Sequence, residues 1–335
     1  MKTAFLGDIE VSRICVGCWS FGGGEDSYWG AQAQDDVDRL ADAALDMGVN
    51  FFDTAFGYNA GESERALGHA LRGKRGRAVI CDKTPIMKRE DLPHAEDFIG
   101  AGLKRLGTDY IDILMIHWPT KDKELLIDNL LTLEELRKKG MFRAFGVSNF
   151  GVETLAIAKS LGIRIVADEL AYNLITRAVE YEILPACREQ KIGVTAYMPL
   201  MQGILTGKYK TVEEIPEPRR RSVHFDATKN PQARHGGQGF EEETMAVVRG
   251  IGDIAASLGT DAATVALSWT LARDGVASAM VGCRNALQVE RNARAASFAL
   301  PDDAVAALDR LTNPLKEKLP RCPDLFAQGD AARVW

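Results

Sequence analysis

Short runs of aliphatic and β-branched residues recur at regular intervals along the chain. They are ICVGC (14–18), NFFDT (50–54), AVICDK (78–83), YIDILMIH (110–117), FRAFGVS (142–148), RIVADE (164–169), GVTAY (193–197) and ASAMVG (277–282). Most are continuous rather than alternating, the pattern of strands covered on both faces. Between them lie amphipathic stretches of helical period: QDDVDRLADAALDMG, ESERALGHALRG, EDFIGAGLKRLG, ELLIDNLLTLEELRKKG, VETLAIAKSLG and EYEILPACREQ. Several end on Gly just after a basic residue, which is helix C-cap chemistry. Residues 1–13 predict a short hairpin turning at Gly7-Asp8. Two helices, at about 241–258 and 261–273, precede the last strand, and another at about 302–312 follows it.

Eight strand–helix units in alternation predict an α/β chain folded as a (β/α)8, or TIM, barrel, with residues 1–335 as one domain. A doubly wound sheet is the alternative. Against it for nucleotide binding, no G-x-G-x-x-G follows the first strand, and Gly22-Gly23-Gly24 has the wrong spacing. The longest irregular stretch, Gly207 to Gly239 after the seventh barrel strand, reads as a long loop rich in proline, glycine and charge.

Charge and composition narrow the function classes. A formal net charge of −6 over 335 residues argues against nucleic acid or an anionic membrane as the main partner. No run of 18 apolar residues occurs, and the first residues carry no signal-peptide core, so a cytoplasmic protein is expected. Six cysteines are scattered through the chain rather than set out as a disulfide framework. Cys15 and Cys18 match C-x-x-C, but no second cysteine pair or histidine pair accompanies them, and buried thiols on a strand are the reading adopted.

Candidate chemistry gathers at strand ends. Asp53, Lys83 and His117 close the second, third and fourth barrel strands, and Tyr58 follows in the loop after the second. A barrel brings such positions together at one rim. A phenol with a free pKa of about 10 is a poor acid–base group near neutrality. An adjacent ammonium is expected to lower that pKa, and a carboxylate to anchor the ammonium. Tyr58 then acts as acid, Lys83 tunes it, Asp53 holds Lys83, and His117 orients a substrate oxygen. That set suits protonation of a carbonyl oxygen as hydride arrives, or the reverse.

With these residues in place, DTAFGYN, CDKT, IHWP, FGVSN and AYMPLMQGILTGKY stand in the order of the aldo-keto reductases, which the chain resembles over essentially its whole length. The resemblance implies NADP(H) bound across the C-terminal rim, with NAD(H) as a further possibility, and a tetrad of Asp53, Tyr58, Lys83 and His117. Ser148 and Asn149 match the pair that holds the nicotinamide carboxamide. Glu169 stands where the family usually has Gln; an ionised carboxylate accepts hydrogen bonds but cannot donate them. Tyr197 matches the ring that stacks on the nicotinamide. Leu200, Gln202, Gly203 and Lys208 match the turn that receives the pyrophosphate, and the resemblance counts Cys18, Trp19, Asp53, Met198 and Pro199 as further cofactor-binding positions. Gly282, Arg284, Gln288 and Asn292 resemble the adenosine site, with Arg284 facing the 2′-phosphate or stacking on adenine.

For a small carbonyl or alcohol substrate, Trp19, Tyr58, His117 and Trp118 are the expected contacts. Tyr28, Trp29, Phe56 and Phe150 are further rim aromatics. Arg219, Arg220 and Arg221 read either as a clamp on an acidic group or as solvated charge, the latter being the commoner case. Trp269 is assigned no role. Three rival readings remain: a sugar or polyol dehydrogenase using the same residues in the oxidative direction, a cofactor-binding regulatory subunit, and a lyase forming a Schiff base at Lys83. Oligomeric state is not visible in the sequence.

Overall fold

A computed structural model describes all of residues 1–335. The chain opens with an antiparallel hairpin of β1 (Thr3–Leu6) and β2 (Ile9–Ser12), turning at Gly7-Asp8 as the sequence predicts. Eight further strands follow: β3 (Ile14–Gly17), β4 (Phe51–Asp53), β5 (Val79–Thr84), β6 (Ile111–Ile116), β7 (Phe142–Ser148), β8 (Ile165–Ala171), β9 (Gly193–Tyr197) and β10 (Val276–Gly282). Each pairs in parallel with the next, and β10 pairs with β3 to close the barrel. This is the expected (β/α)8 fold with its N-terminal hairpin.

Six helices occupy the crossovers from β3 to β9: α1 (Gln34–Asp46), α2 (Glu62–Ala70), α3 (Ala95–Leu106), α4 (Lys123–Lys138), α5 (Val152–Ser160) and α6 (Ile183–Glu189). After β9 come α7 (Glu241–Ser257) and α8 (Ala262–Leu271), and after β10 come α9 (Ala286–Ala295) and α10 (Asp302–Lys318). Local chemistry fixes several ends. Asp122, Asp261 and Asn285 accept from backbone N–H groups at the starts of α4, α8 and α9, satisfying donors that have no partner within the helix. Gly107 ends α3 in the left-handed conformation.

The strands are buried on both faces because two separate apolar bodies cover them. Outside, 79 buried residues join strands to helices, whereas a cluster of 12 fills the lumen. Leu6, Ile9 and Val11 of the hairpin belong to the lumen cluster and plug the lower end of the barrel. Gly7 permits that closure: its φ is +60°, and a Cβ there would stand 2.7 Å from Val166 Cγ1.

The structure departs from expectation at two places. Helix α10 runs on to Lys318 through Pro314, although an interior proline ordinarily costs about 3 kcal/mol. Burial of Leu315 and hydrogen bonds from Arg177 to Thr312 and Asn313 hold that last turn against the body. The stretch after β9 is also more built than a solvated loop. Ile215, Val223 and Phe225 are buried in it, Asn230 donates to the carbonyls of Glu217 and Arg220, and the buried His224 ring pairs with the carbonyl of Ile175. No helix is long and apolar enough to cross a membrane.

Candidate functional site

Strand alternation sets the site. On β4, Phe51 points into the lumen cluster and Asp53, two residues on, takes the next inward position; Cys81 and Lys83 do the same on β5. Asp53 and Lys83 are fully buried. Lys83 Nζ donates to Asp53 Oδ1 at 2.5 Å and Oδ2 at 2.6 Å, and to the carbonyl of Thr54 at 3.1 Å. Glu169 Oε2 on β8 is 3.4 Å from the same ammonium. Burial alone would lower the Lys83 pKa, but Asp53 and then Glu169 push it well above the ordinary lysine value. Lys83 is a cation here, held inside the barrel by Asp53 as the sequence leads one to expect.

Tyr58 sits above this pair, its ring centroid 5.2 Å from Lys83 Nζ and 5.7 Å from the His117 ring, edge to face. The loop that presents it is unusual. Asn59, Ala60 and Gly61 all have positive φ, at 48°, 55° and 88°, and only the glycine adopts this without strain. Asn59 Nδ2 compensates by donating to the carbonyls of Trp19 and Phe21, at 3.0 and 2.8 Å. The Trp19 ring stacks on Tyr58 at 5.8 Å.

The Tyr58 hydroxyl differs from expectation. Burial pushes its pKa above the ordinary phenol value, and Lys83 opposes this without overcoming it. Burial is the largest cause, and Asp53, which already offsets the Lys83 ammonium at short range, adds to the upward shift. His117 is lowered to about 3, by burial first and then by Lys83 and Arg333, so its imidazole is neutral across the ordinary pH range.

Beside the cluster, the ends of β7 and β8 are laced together. The Glu169 carbonyl accepts from Ser148 Oγ at 3.1 Å and from Asn149 N at 2.9 Å. Asn149 Nδ2 donates to Ser148 Oγ and to the carbonyl of His117, and Tyr197 Oη donates to Asn149 Oδ1 at 2.9 Å. Cys18 is buried, and its N–H donates to the carbonyl of Asp53 at 2.8 Å. Cys15 is buried as well, and both cysteines are free thiols, as expected.

The following turn is tightly wound. Met198, Met201, Gln202 and Gly203 have φ of 55°, 45°, 54° and 92°, with buried Pro199 and half-buried Leu200 between them. A Cβ at Gly203 would lie 3.0 Å from Lys208 Nζ, so the glycine keeps a gap between backbone and cation. Further along the rim, Gln288 Oε1 accepts from Arg284 N at 2.8 Å, and Asn292 Nδ2 donates to Cys283 Sγ at 3.2 Å. Gln288 is exposed whereas Asn292 is buried, so the two hold the turn from Gly282 to Asn285 from opposite sides. The Arg284 guanidinium donates to the carbonyls of Trp29 and Ala31, and thereby clasps the loop that follows β3.

The rim aromatics divide. Trp19, Tyr28 and Trp29 pack on one another at the mouth. Phe150 is fully buried, and Phe56 stacks on Phe98 below Arg105 in the helical layer, so neither lines the mouth. Trp269 is likewise core. Arg219 lies over Trp29 and Arg221 over Tyr28 and Phe326, so these two side chains are packed and not merely solvated. The C-terminal tail was not singled out from sequence. It brings Arg333 over the Trp118 ring at 3.5 Å and completes a cleft of about 500 Å³ with His117, Pro85, Ile86 and Lys121. Only Trp335 and the basic residue near it hint at this, because the contact joins segments far apart in the chain.

Comparison with known proteins agrees with the motifs. The model of the Aldo/keto reductase family matches residues 13–313. The NADH-specific methylglyoxal reductase of Escherichia coli (strain K12) is 30% identical over 328 residues, covering 90% of this chain and 95% of that protein. The glycerol dehydrogenase AKR11B4 from Gluconobacter oxydans superposes with a TM-score of 0.77 at 27% identity, covering 92% of this chain and 93% of that one. An aldo/keto reductase from Klebsiella pneumoniae, solved in complex with NADP and acetate, gives 0.68 at 27% identity, covering 90% and 92%. A closed barrel, a motif set in register and a match over nearly the full length lead to one conclusion: this chain belongs to the aldo-keto reductase family of oxidoreductases.

Proposed function

We propose that this protein reduces a small carbonyl compound (an aldehyde, ketone or sugar) to the alcohol with NADPH, Tyr58 donating the proton. The observation that carries the reading is the placement of Tyr58 and the neutral His117 over a buried Lys83–Asp53 pair, beside the cleft lined by Trp118. Hydride at the carbonyl carbon comes from the nicotinamide cofactor when it is bound. Tyr58 passes its proton to the carbonyl oxygen, and His117 holds that oxygen by hydrogen bonding. Lys83, fixed by Asp53, stabilises the phenolate left behind.

The chain fits a nicotinamide dinucleotide. Ser148, Asn149 and Tyr197 form a polar shelf at the mouth, and the left-handed turn ending at Gly203 lies beside Lys208, a combination suited to pyrophosphate. Arg284 supplies charge for a 2′-phosphate, which supports NADP(H) over NAD(H). A Schiff base at Lys83 fits poorly, because the amine is buried and held as an ammonium by Asp53. The reading places the protein in the cytoplasm, acting on small molecules through residues 1–335 as one unit.

Titration with NADPH and with NADH, followed by quenching of tryptophan fluorescence, tests the reading together with a screen of aldehydes, ketones and sugars. NADPH should bind more tightly and support turnover. Binding of neither cofactor would overturn it, and tight binding with no turnover on any carbonyl would favour a regulatory subunit.

A further inference from the structure

Two carboxyls share one cation inside this barrel. Asp53 and Glu169 are 1% and 4% exposed, and their carboxyl oxygens lie within 4.8 Å of each other and of Cys81 Sγ. Asp53 takes both short contacts with Lys83, whereas Glu169 Oε2 lies 3.4 Å from the ammonium and accepts no hydrogen bond. The other titratable groups facing Glu169 add no positive charge: Cys81 on β5, Cys15 on β3, Tyr58 in its loop and Tyr197 on β9. The polar neighbours paired with it on β7 and β9, Ser148 and Thr195, are neutral. With both carboxyls ionised the cluster would carry a net buried negative charge, which is costly. A proton on the pair removes it. Burial, then the charge of Asp53, raises Glu169 well above the carboxylate range, and the short Asp53–Lys83 contacts leave the proton on Glu169.

We propose that Asp53 and Glu169 hold one proton between them, and that they release it when an oxidised, positively charged nicotinamide lies beside Glu169 but keep it beside the reduced, neutral ring. This rests on the cofactor reading given above, in which the ring lies against Ser148, Asn149 and Tyr197. The charge arithmetic is short. Before binding, one cation faces one anion and one neutral acid. A second cation restores balance only if the acid ionises. A protonated Glu169 also offers one donor and one acceptor, so it can hold an amide as a glutamine would, and ionisation then tightens the site on the oxidised ring alone. The pair thus links proton uptake to the redox state of the cofactor, separately from the proton that Tyr58 delivers.

The test is proton release on binding, read by calorimetry in two buffers of different ionisation enthalpy. Wild-type protein should release about one more proton with NADP+ than with NADPH. Taking the difference removes any contribution of the 2′-phosphate, which both carry. Glu169→Gln keeps shape and hydrogen bonding but cannot titrate; it should bind both forms with no such difference. If that variant fails to fold, the wild type alone still decides. Its Kd for NADP+ should weaken about tenfold per unit of falling pH below the pair's pKa, relative to that for NADPH. Equal proton release with the two forms, or an undiminished difference in Glu169→Gln, would overturn the inference while leaving the cofactor reading intact. Failure of both NADP(H) and NAD(H) to bind would remove the reading and the inference together.

Discussion

The lumen of this barrel holds two layers built by the same strands with opposite chemistry. In the lower layer Phe51, Cys81, Ile113 and Ala167 meet the hairpin residues Leu6, Ile9 and Val11 in a wholly apolar plug. Two residues further along three of those strands stand Asp53, Lys83 and Glu169, equally buried. Depth is therefore not what distinguishes the layers. The lower one is sealed by a hairpin and gains stability from apolar burial. The upper one is covered only by loops, and its buried charges are held in place by one another. The apolar floor keeps water out from below, and this is part of why burial dominates the pKa of Tyr58.

The sharpest way to separate the layers is to remove one atom from the upper one. Tyr58→Phe should lower kcat by about 10²- to 10⁴-fold, the range for losing a positioned acid, with NADPH affinity nearly unchanged. Steady-state kinetics and fluorescence titration read the two quantities. Loss of NADPH binding in this variant would count against the role given to the phenol.

Lys83→Met should be felt in stability as well as in turnover. Breaking a buried ion pair from one side costs about 3–5 kcal/mol, because it strands the partner's charge. Leu6→Ala in the floor should cost a comparable amount, about 2–5 kcal/mol. Its kinetic outcome should differ, with kcat and KM staying close to wild type at temperatures where the variant is folded. Chemical denaturation alongside kinetics distinguishes them. If Leu6→Ala also abolished turnover, the layers would not be independent.

A smaller effect lies in pH. His117 is held neutral down to about 3, so it should contribute no limb to kcat/KM near its ordinary pKa of 6.5. The linkage sign follows from that depression. Between about 3 and 6.5 the unfolded chain binds a proton that the folded protein does not, so stability attributable to His117 falls as pH drops through this window. Comparing the pH dependence of unfolding in wild type and His117→Gln isolates the contribution.

The upper layer was largely legible in the sequence, and for a physical reason. A buried parallel strand is a continuous apolar run, so a charged residue at its end is conspicuous, and barrel closure supplies the convergence. Asp53, Lys83 and His117 were placed that way, and Tyr58 by its neighbouring turn. What was not legible depended on contacts between distant segments. Phe56 and Phe150 look like rim aromatics in the sequence but turn into the core. Arg333 reaches Trp118 from the far end of the chain. The direction of the Tyr58 shift is not legible either, because burial, its largest cause, depends on how distant segments cover the ring, and because Asp53 already offsets the Lys83 ammonium.

The outer end of the proposed cofactor path offers the mildest contrast with the buried layer. Arg284 is exposed and already engaged, donating to the carbonyls of Trp29 and Ala31. A 2′-phosphate must share a guanidinium that the protein has put to use, whereas Lys83 is committed to its partners with no competitor from solvent. Arg284→Ala should therefore weaken NADPH binding by about tenfold, the lower end of what a charged hydrogen bond contributes. Affinity for NADH should change by less than about threefold, since NADH lacks the phosphate and loses only what the clasped loop contributes. Folding stability should stay within about 0.5 kcal/mol of wild type, as for most exposed substitutions. Parallel titrations of wild type and variant with the two cofactors decide the matter. Equal weakening for NADPH and NADH would show that Arg284 acts by holding the Trp29–Ala31 loop, and would reassign it from phosphate recognition to loop closure.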